Sequence, residues 1–217
     1  MQKSLLLPLV FISLFISGCT IYSENSLPDL YPHKGKTILV LQGVKPSGMS
    51  GAKWIELRNE VEKRISKNPW TGKIREYEVQ KSTWKENQQL RLDQEQFKTS
   101  LALAGITEKS LAEKLSTGHG VDQVLLHQFI SYPCTEECTS SETWLMRVQL
   151  IDLSNGIQIH RLRSIYKPDD DELDGLPREE AALSLTRDLL ERFNDSFVVP
   201  WHRLRYENIK SLGSESI

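Results

Sequence analysis

Chemistry in this chain would have to come from a few short runs of reactive side chains. The densest is Asp169-Asp170-Asp171-Glu172-Leu173-Asp174-Gly175, where Asp170, Glu172, Asp174 and Gly175 stand at spacings reminiscent of a calcium loop. The pattern fails downstream. Its last-ligand position is Ala181, and Pro177 would start a helix inside the loop, so the run reads as a solvated acidic turn. The histidines, His33, His119, His127, His160 and His202, form no spaced pair on one helix. His119 between two glycines is read as a turn residue, while His127 and His160 fall on strands expected to share a sheet and so to approach each other. Ser154-Asn155-Gly156 lacks the preceding glycine and following helix of a nucleophile elbow, and the Gly43 to Gly51 loop has no Walker lysine. No titratable constellation has catalytic spacing, so no catalytic residue, metal ligand or cofactor is assigned.

Cysteine 19 is different. Met1-Gln2-Lys3 is a short basic start, and Leu5 to Ile16 is an apolar run broken only by Pro8 and Ser13. That length fits a signal peptide over residues 1–18 and is too short for a bilayer, which needs roughly 20 apolar residues. It ends in Ile16-Ser17-Gly18-Cys19, which resembles the lipobox of bacterial lipoproteins: an aliphatic residue, two small ones, and the cysteine that becomes the lipidated amino terminus. Small residues suit a peptidase that draws extended backbone into a narrow site. Each buried methylene contributes about 0.8 kcal/mol, so two or three acyl chains anchor a protein durably. Thr20, in place of Asp, implies by the same resemblance the periplasmic face of the outer membrane, or the cell surface in a host with one membrane.

Cys134 and Cys138 remain after Cys19 is used. In an oxidising compartment they are expected to form a disulfide whose small loop stabilises by about 2 kcal/mol. Their three-residue separation is not the thioredoxin-like spacing, and no histidine follows at ligand distance. The charge balance, 27 basic against 29 acidic residues, gives no field that would draw in nucleic acid.

The elements that must position these groups follow from periodicity. Residues 19–35 read as a lipidated tether with a reach of roughly 50 Å, and 36–217 as one globular domain. Thr37 to Leu41 is a continuous apolar run, hence a strand buried on both faces. Trp54, Leu57, Val61 and Ile65 form one helical stripe, ended by Asn68-Pro69. Lys73 to Val79 reads as a strand and Trp84 to Ala104 as polar and helix-prone. Thr107 is expected to cap a helix with Leu111 and Leu115 inward, broken at Gly118-His119-Gly120. Val121 to Ile130 is a strand. Trp144 to Ile151 is another, with Trp144, Met146, Val148 and Leu150 on one face, and it turns through Asp152 to Gly156 into Ile157 to Tyr166. Pro177 opens a last helix with Ala182, Leu185, Leu189 and Phe193 inward. The order βαβααβββα gives an α/β fold, a mixed sheet with helices packed on it.

Leu111 to Phe129, a helix ending at Gly118-His119-Gly120 before Val121-Asp122 and an apolar strand, resembles the matching segment of the CsgG/TolB amino-terminal superfamily of bacterial envelope proteins. Leu145 to Ile159, an apolar strand ending in Asp152 and a glycine turn, resembles its next hairpin. Thr37 to Leu41 and Ala181 to Phe193 resemble its opening strand and closing helix. The superfamily includes curli-secretion lipoproteins, penicillin-binding-protein activator lipoproteins and the first domain of the Tol-Pal translocation protein. The resemblance implies an anticodon-binding/TolB-amino-terminal-like sandwich that binds other envelope proteins and is not an enzyme. Long pore-forming hairpins like those of the curli channel are not apparent in the sequence.

Tryptophan is favoured at binding hot spots, and Trp70, Trp84 and Trp201 flank expected helix ends or loops, which makes them the interaction candidates; Trp54 and Trp144 are assigned to the core. The functional expectation is a lipid-anchored, non-catalytic interaction module accessory to an envelope assembly. An envelope hydrolase and an oligomeric secretion-channel subunit stand as alternatives, and the protein partner and oligomeric state are left open.

Overall fold

A computed structural model describes residues 21–27, 30, 33–104, 107–132, 143–166 and 177–198. The elements in chain order are β1 (Ile21–Ser26), β2 (Ile38–Gln42), α1 (Gly51–Ser66), β3 (Ile74–Arg75), α2 (Tyr77–Glu86), α3 (Gln88–Ala104), α4 (Lys109–His119), β4 (Gln123–Ser131), β5 (Trp144–Asp152), β6 (Gln158–Tyr166) and α5 (Arg178–Val198). The six strands form one mixed sheet in the order β1-β6-β5-β4-β2-β3. β2 runs parallel to β3 and β4, and the other pairs are antiparallel. This is the α/β class expected from the sequence.

The helices divide between the two faces. α1 and α5 cover the first, where Leu57, Val61 and Ile65 of α1 and Ala182, Leu189 and Phe193 of α5 are fully buried against Ile38, Leu125, Met146, Val148 and Leu150. Strand alternation sends the neighbouring residues to the second face. There α3 and α4 bring Phe97, Leu101, Leu111 and Leu115 onto Leu39, Leu41, Val124 and Leu126. α4 ends at Gly120, whose left-handed backbone (φ +63°) terminates the helix without a Cβ clash. α2 closes the β3 end: fully buried Gln80 donates from Nε2 to the Val40 and Arg75 carbonyls, satisfying backbone that the two-residue strand leaves unpaired. No helix among the described residues is long and apolar enough to cross a membrane.

Three local expectations need correction. The stretch read as tether contains β1, which pairs over its whole length with β6, from Ile21 against Ile165 to Ser26 against His160. Its Tyr22 hydroxyl donates to Asp188 of α5, and the Arg192 guanidinium lies 3.9 Å from the centre of the Tyr22 ring. The described fold therefore begins at Ile21, two positions after Cys19 in the sequence and inside the stretch read as tether. Lys73 to Val79 is a strand only at Ile74–Arg75, because α2 begins at Tyr77, with Arg58 of α1 lying 3.6 Å over the Tyr77 ring. Thr107 does not cap α4. The cap position is Glu108, without a side-chain bond, and Thr107 instead lies beside Gly156 in the β5–β6 turn.

Candidate functional site

The covered and uncovered parts of the second sheet face set the site. α3 and α4 lie over β2 and β4, and from β5 only Ile151 joins their core. The adjoining part of that face on β5 and β6 forms an open groove lined by Arg147, Arg161, Arg163, Gln128 and Leu145, with Leu103 of α3 on its rim.

Register places the arginines. The β5–β6 turn is fixed by the Asp152 carboxylate, which accepts from the Ser154 amide at 2.8 Å and hydroxyl at 2.6 Å, and by Gly156 at φ +73°. Ladder pairing then sets Arg147 directly opposite Arg163 and Gln149 opposite Arg161. Trp144, Met146, Val148 and Leu150 point to the α1/α5 core, so Leu145, Arg147 and Gln149 must point the other way. Like charges directly opposite are unfavourable in a sheet. Here they are also partly dehydrated. Arg147 is only 5% exposed; its Nη2 donates to the Leu101 carbonyl at 3.3 Å, and its Nε has no hydrogen-bond partner. Burial, then the charges of Arg163 and Arg161, push the Arg147 guanidinium down to about 10. Burial and Arg163 lower Arg161 as well. Among the described residues no carboxylate forms an ion pair with any of the three.

A cluster of guanidinium groups moves no protons at neutral pH. It receives planar or tetrahedral anions through forked hydrogen bonds, and more strongly where water is partly excluded. The groove can therefore hold carboxylate or phosphate, and among the described residues that line it none is a nucleophile or a carboxylate or imidazole base.

Of the residues singled out from sequence, Cys19, Cys134, Cys138, Trp201, His202 and the acidic run 169–175 lie outside the described residues. Trp70 is corrected. It is 2% exposed, stacks on Phe197 at 4.1 Å between ring centres, and donates from Nε1 to Asn194 Oδ1 at 3.0 Å, so it belongs to the core and offers no surface. Trp84 is half-buried, edge-on to Tyr77. Trp144 is buried, and Trp54 is half-buried against Phe129. His127 and His160 do not meet, because β5 runs between them: His127 pairs with Val148 and His160 with Leu150. His127 is fully buried beside Thr186, and His160 packs on Phe193 and bonds Ser26. His119, in the last turn of α4, is 1% exposed with neither ring nitrogen bonded. Burial pushes both His119 and His127 down to about 4. Among the described residues no three metal-ligating side chains converge. The start of α1, where the Gly43 to Gly51 loop could have offered amides to a phosphate, is already filled: Glu179 of α5 accepts from the Ser50 amide at 2.5 Å and its hydroxyl at 3.1 Å. Those bonds, with the amide the largest cause, hold the Glu179 carboxyl below its ordinary range.

The arginines were passed over in sequence. Arg161 and Arg163, two apart on a strand, share a face by spacing alone, and counting back through the Asp152 to Gly156 turn would have set Arg147 opposite. Their meaning depends on α3 stopping short, which no local pattern carries.

No protein-family model and no curated protein match the sequence. Solved structures do. The PelC dodecamer from Paraburkholderia phytofirmans is 11% identical, with a TM-score of 0.43 over 79% of this chain and 95% of that one. Lipoprotein GNA1162 from Neisseria meningitidis is 18% identical, with a TM-score of 0.39 over 70% and 94%. The LpoB carboxy-terminal domain from Salmonella enterica is 14% identical, with a TM-score of 0.35 over 62% and 84%. Likeness at this level does not establish membership of the superfamily that the sequence resembles.

Proposed function

We propose that this chain is a lipid-anchored, non-catalytic binding module of the bacterial cell envelope, accessory to an assembly in secretion, export or cell-wall synthesis. The anchor reading rests on Ile16-Ser17-Gly18-Cys19 and the apolar run before it. Binding rather than catalysis is supported by one observation: the most conspicuous polar cluster among the described residues is Arg147, Arg161 and Arg163, three guanidinium groups without a carboxylate partner. Such a face recognises anionic groups and has no means of general acid–base work at neutral pH. With a lipid on Cys19, pairing of β1 with β6 from Ile21 onward would keep the domain close to that membrane and raise its effective concentration for anything else at that surface.

The test has two parts. Wild-type protein fed a palmitate analogue in the bacterial host should carry the label, and Cys19→Ala should not; equal label on both would remove the anchor. The purified protein should bind an anionic resin through the arginine face, with retention reduced in Arg161→Gln and Arg163→Gln, and should turn over no ester, peptide or glycan substrate. Turnover lost in His127→Ala would favour an enzyme instead.

A further inference from the structure

β1 forms one edge of the sheet and brings little to its core. We infer that β1 is a releasable strap: it leaves β6 as one unit while the rest of the domain stays folded. Its release moves the point where the chain from Cys19 joins the fold from one end of the sheet to the other. The two positions of the strap follow from the described fold; their meaning for reach from a membrane rests on the anchor reading above.

Burial separates β1 from its neighbour. Ser23, Glu24 and Asn25 are exposed, and Tyr22 and Ser26 are half-buried. Both apolar clusters draw their buried residues from other elements, and Tyr22 packs only on the margin of one. β6 is built differently. Its Ile159, Leu162 and Tyr166 are buried, it pairs with β5 from Trp144–Tyr166 to Ile151–Gln158, and Phe193 of α5 packs on its His160. Burial of apolar surface is the dominant favourable term in folding, so β6 keeps its place when β1 leaves.

What fastens β1 is the ladder and polar contacts near its two ends. At one end the Tyr22 hydroxyl donates to Asp188, and the Arg192 guanidinium lies over the ring. At the other, Ser26 Oγ is 2.7 Å from His160 Nδ1, and the Leu27 amide donates to the Ile159 carbonyl at 2.8 Å. Alternation from that bond makes Asn25 and Ser23 the next residues to exchange hydrogen bonds with β6, opposite Arg161 and Arg163. The chain from His33 onward is secured separately. The His33 carbonyl accepts from Gln123 Nε2 at 3.1 Å, the Gly35 amide donates to the Trp70 carbonyl at 2.7 Å, and the Thr37 amide donates to Asp122 at 2.8 Å. Release therefore stops short of His33. With the strap closed, the chain from Cys19 meets the fold at Ile21, level with Ile165. With it open, the chain meets the fold at His33, whose imidazole lies 3.7 Å from the Asp152 carboxylate, at the β5–β6 turn and so at the opposite end of the ladder. Residues 21–32 span roughly 40 Å when extended. On the proposal that Cys19 carries a lipid, the strap gives the module two reaches from its membrane.

The experiment reads amide hydrogen exchange residue by residue, by NMR, at rising urea, on the full chain as purified from its bacterial host in detergent micelles. Ser23, Asn25 and Leu27 are expected to exchange about 100-fold or more faster than Val148 and Leu150 of β5, with little dependence on urea, as a sub-global opening does. β6 should split by alternation. Arg161 and Arg163, whose amides face β1, should exchange with the strap, and Leu162 and Ser164, whose amides face β5, should exchange with β5. Gly35 and Thr37 should stay protected with β5. Tyr22→Phe, which removes only the hydroxyl bonded to Asp188, should speed exchange of the strap amides about tenfold and leave Val148 unchanged. Exchange of Ser23 and Asn25 at the rate and urea dependence of Val148 would overturn the strap. So would loss of the alternation on β6, opening of Gly35 together with β1, or equal acceleration of β1 and β5 in Tyr22→Phe. Mass spectrometry of Cys19 in the same sample reports the anchor separately: an unmodified Cys19 rejects the two reaches from a membrane, and the exchange pattern alone decides the strap.

Discussion

Arg147 on β5 and Arg163 on β6 are direct cross-strand neighbours, and among the described residues neither has an acidic partner. Folding holds two like charges together and strips water from one of them. Replacing a buried, imperfectly paired charge with an apolar side chain of similar volume is commonly neutral or stabilising. Arg147→Met should raise stability by about 1 kcal/mol at low ionic strength, measured by urea titration. Added sulfate should raise the Tm of the wild type more than that of the variant. A variant less stable than wild type at low salt, with an unchanged sulfate response, would show that the guanidinium is there for packing.

Acid should unfold this domain through its buried histidines. His119 and His127 have folded pKa values near 4 because burial disfavours their charged forms, against an ordinary value of 6.5. The unfolded chain therefore binds more protons below about pH 6.5, and stability falls between that pH and about 4. At pH 5 each group costs on the order of 2 kcal/mol relative to pH 7. Denaturant titrations at the two pH values should show the loss, and His127→Leu should recover part of it. A flat profile would mean that neither ring is held neutral.

Trp70→Ala should remove about 3–5 kcal/mol, because the indole fills the core between Phe193 and Phe197. Asn194→Ala should cost less, about 1–3 kcal/mol, by leaving the buried Nε1–H unpaired. Thermal melts of both variants decide this. Near-wild-type stability in Trp70→Ala would contradict its place in the core.

On the proposal that the chain is exported to an oxidising compartment and lipidated at Cys19, mass spectrometry of the non-reduced protein should find the two remaining cysteines, Cys134 and Cys138, joined. Two freely alkylated thiols would contradict the expectation.

Legibility in the sequence tracked how locally each feature is determined. β4, β5, β6 and α5 were readable because their apolar periodicity is dense and their ends are marked by Gly120, Gly156 and Pro177. β1 was not. Ile21–Ser26 has one aromatic and one aliphatic residue among polar ones, and what holds it extended is the β6 ladder together with Asp188 and Arg192 on a helix far away in sequence. Lys73 to Val79 misled for the converse reason. Its alternating charge suits an edge strand, but Arg58 and the Glu62 carboxylate, which accepts from the Tyr77 amide, fix the start of α2 there. The arginine face needed both the hairpin register and the end point of α3, so its parts were visible in sequence and their convergence was not.

The pairing of β1 with β6 also determines how the molecule carries mechanical load. On the proposal that Cys19 carries a lipid, a pull between the bilayer and anything gripping the far end of the domain would enter the described fold at Ile21 and run along the strand axis. Antiparallel hydrogen bonds lie across that axis, so such a force shears the ladder from Ile21–Ile165 to Ser26–His160 as a block instead of unzipping it bond by bond. On that proposal β1 would act as a stiff mount, since it is held along its whole length by β6.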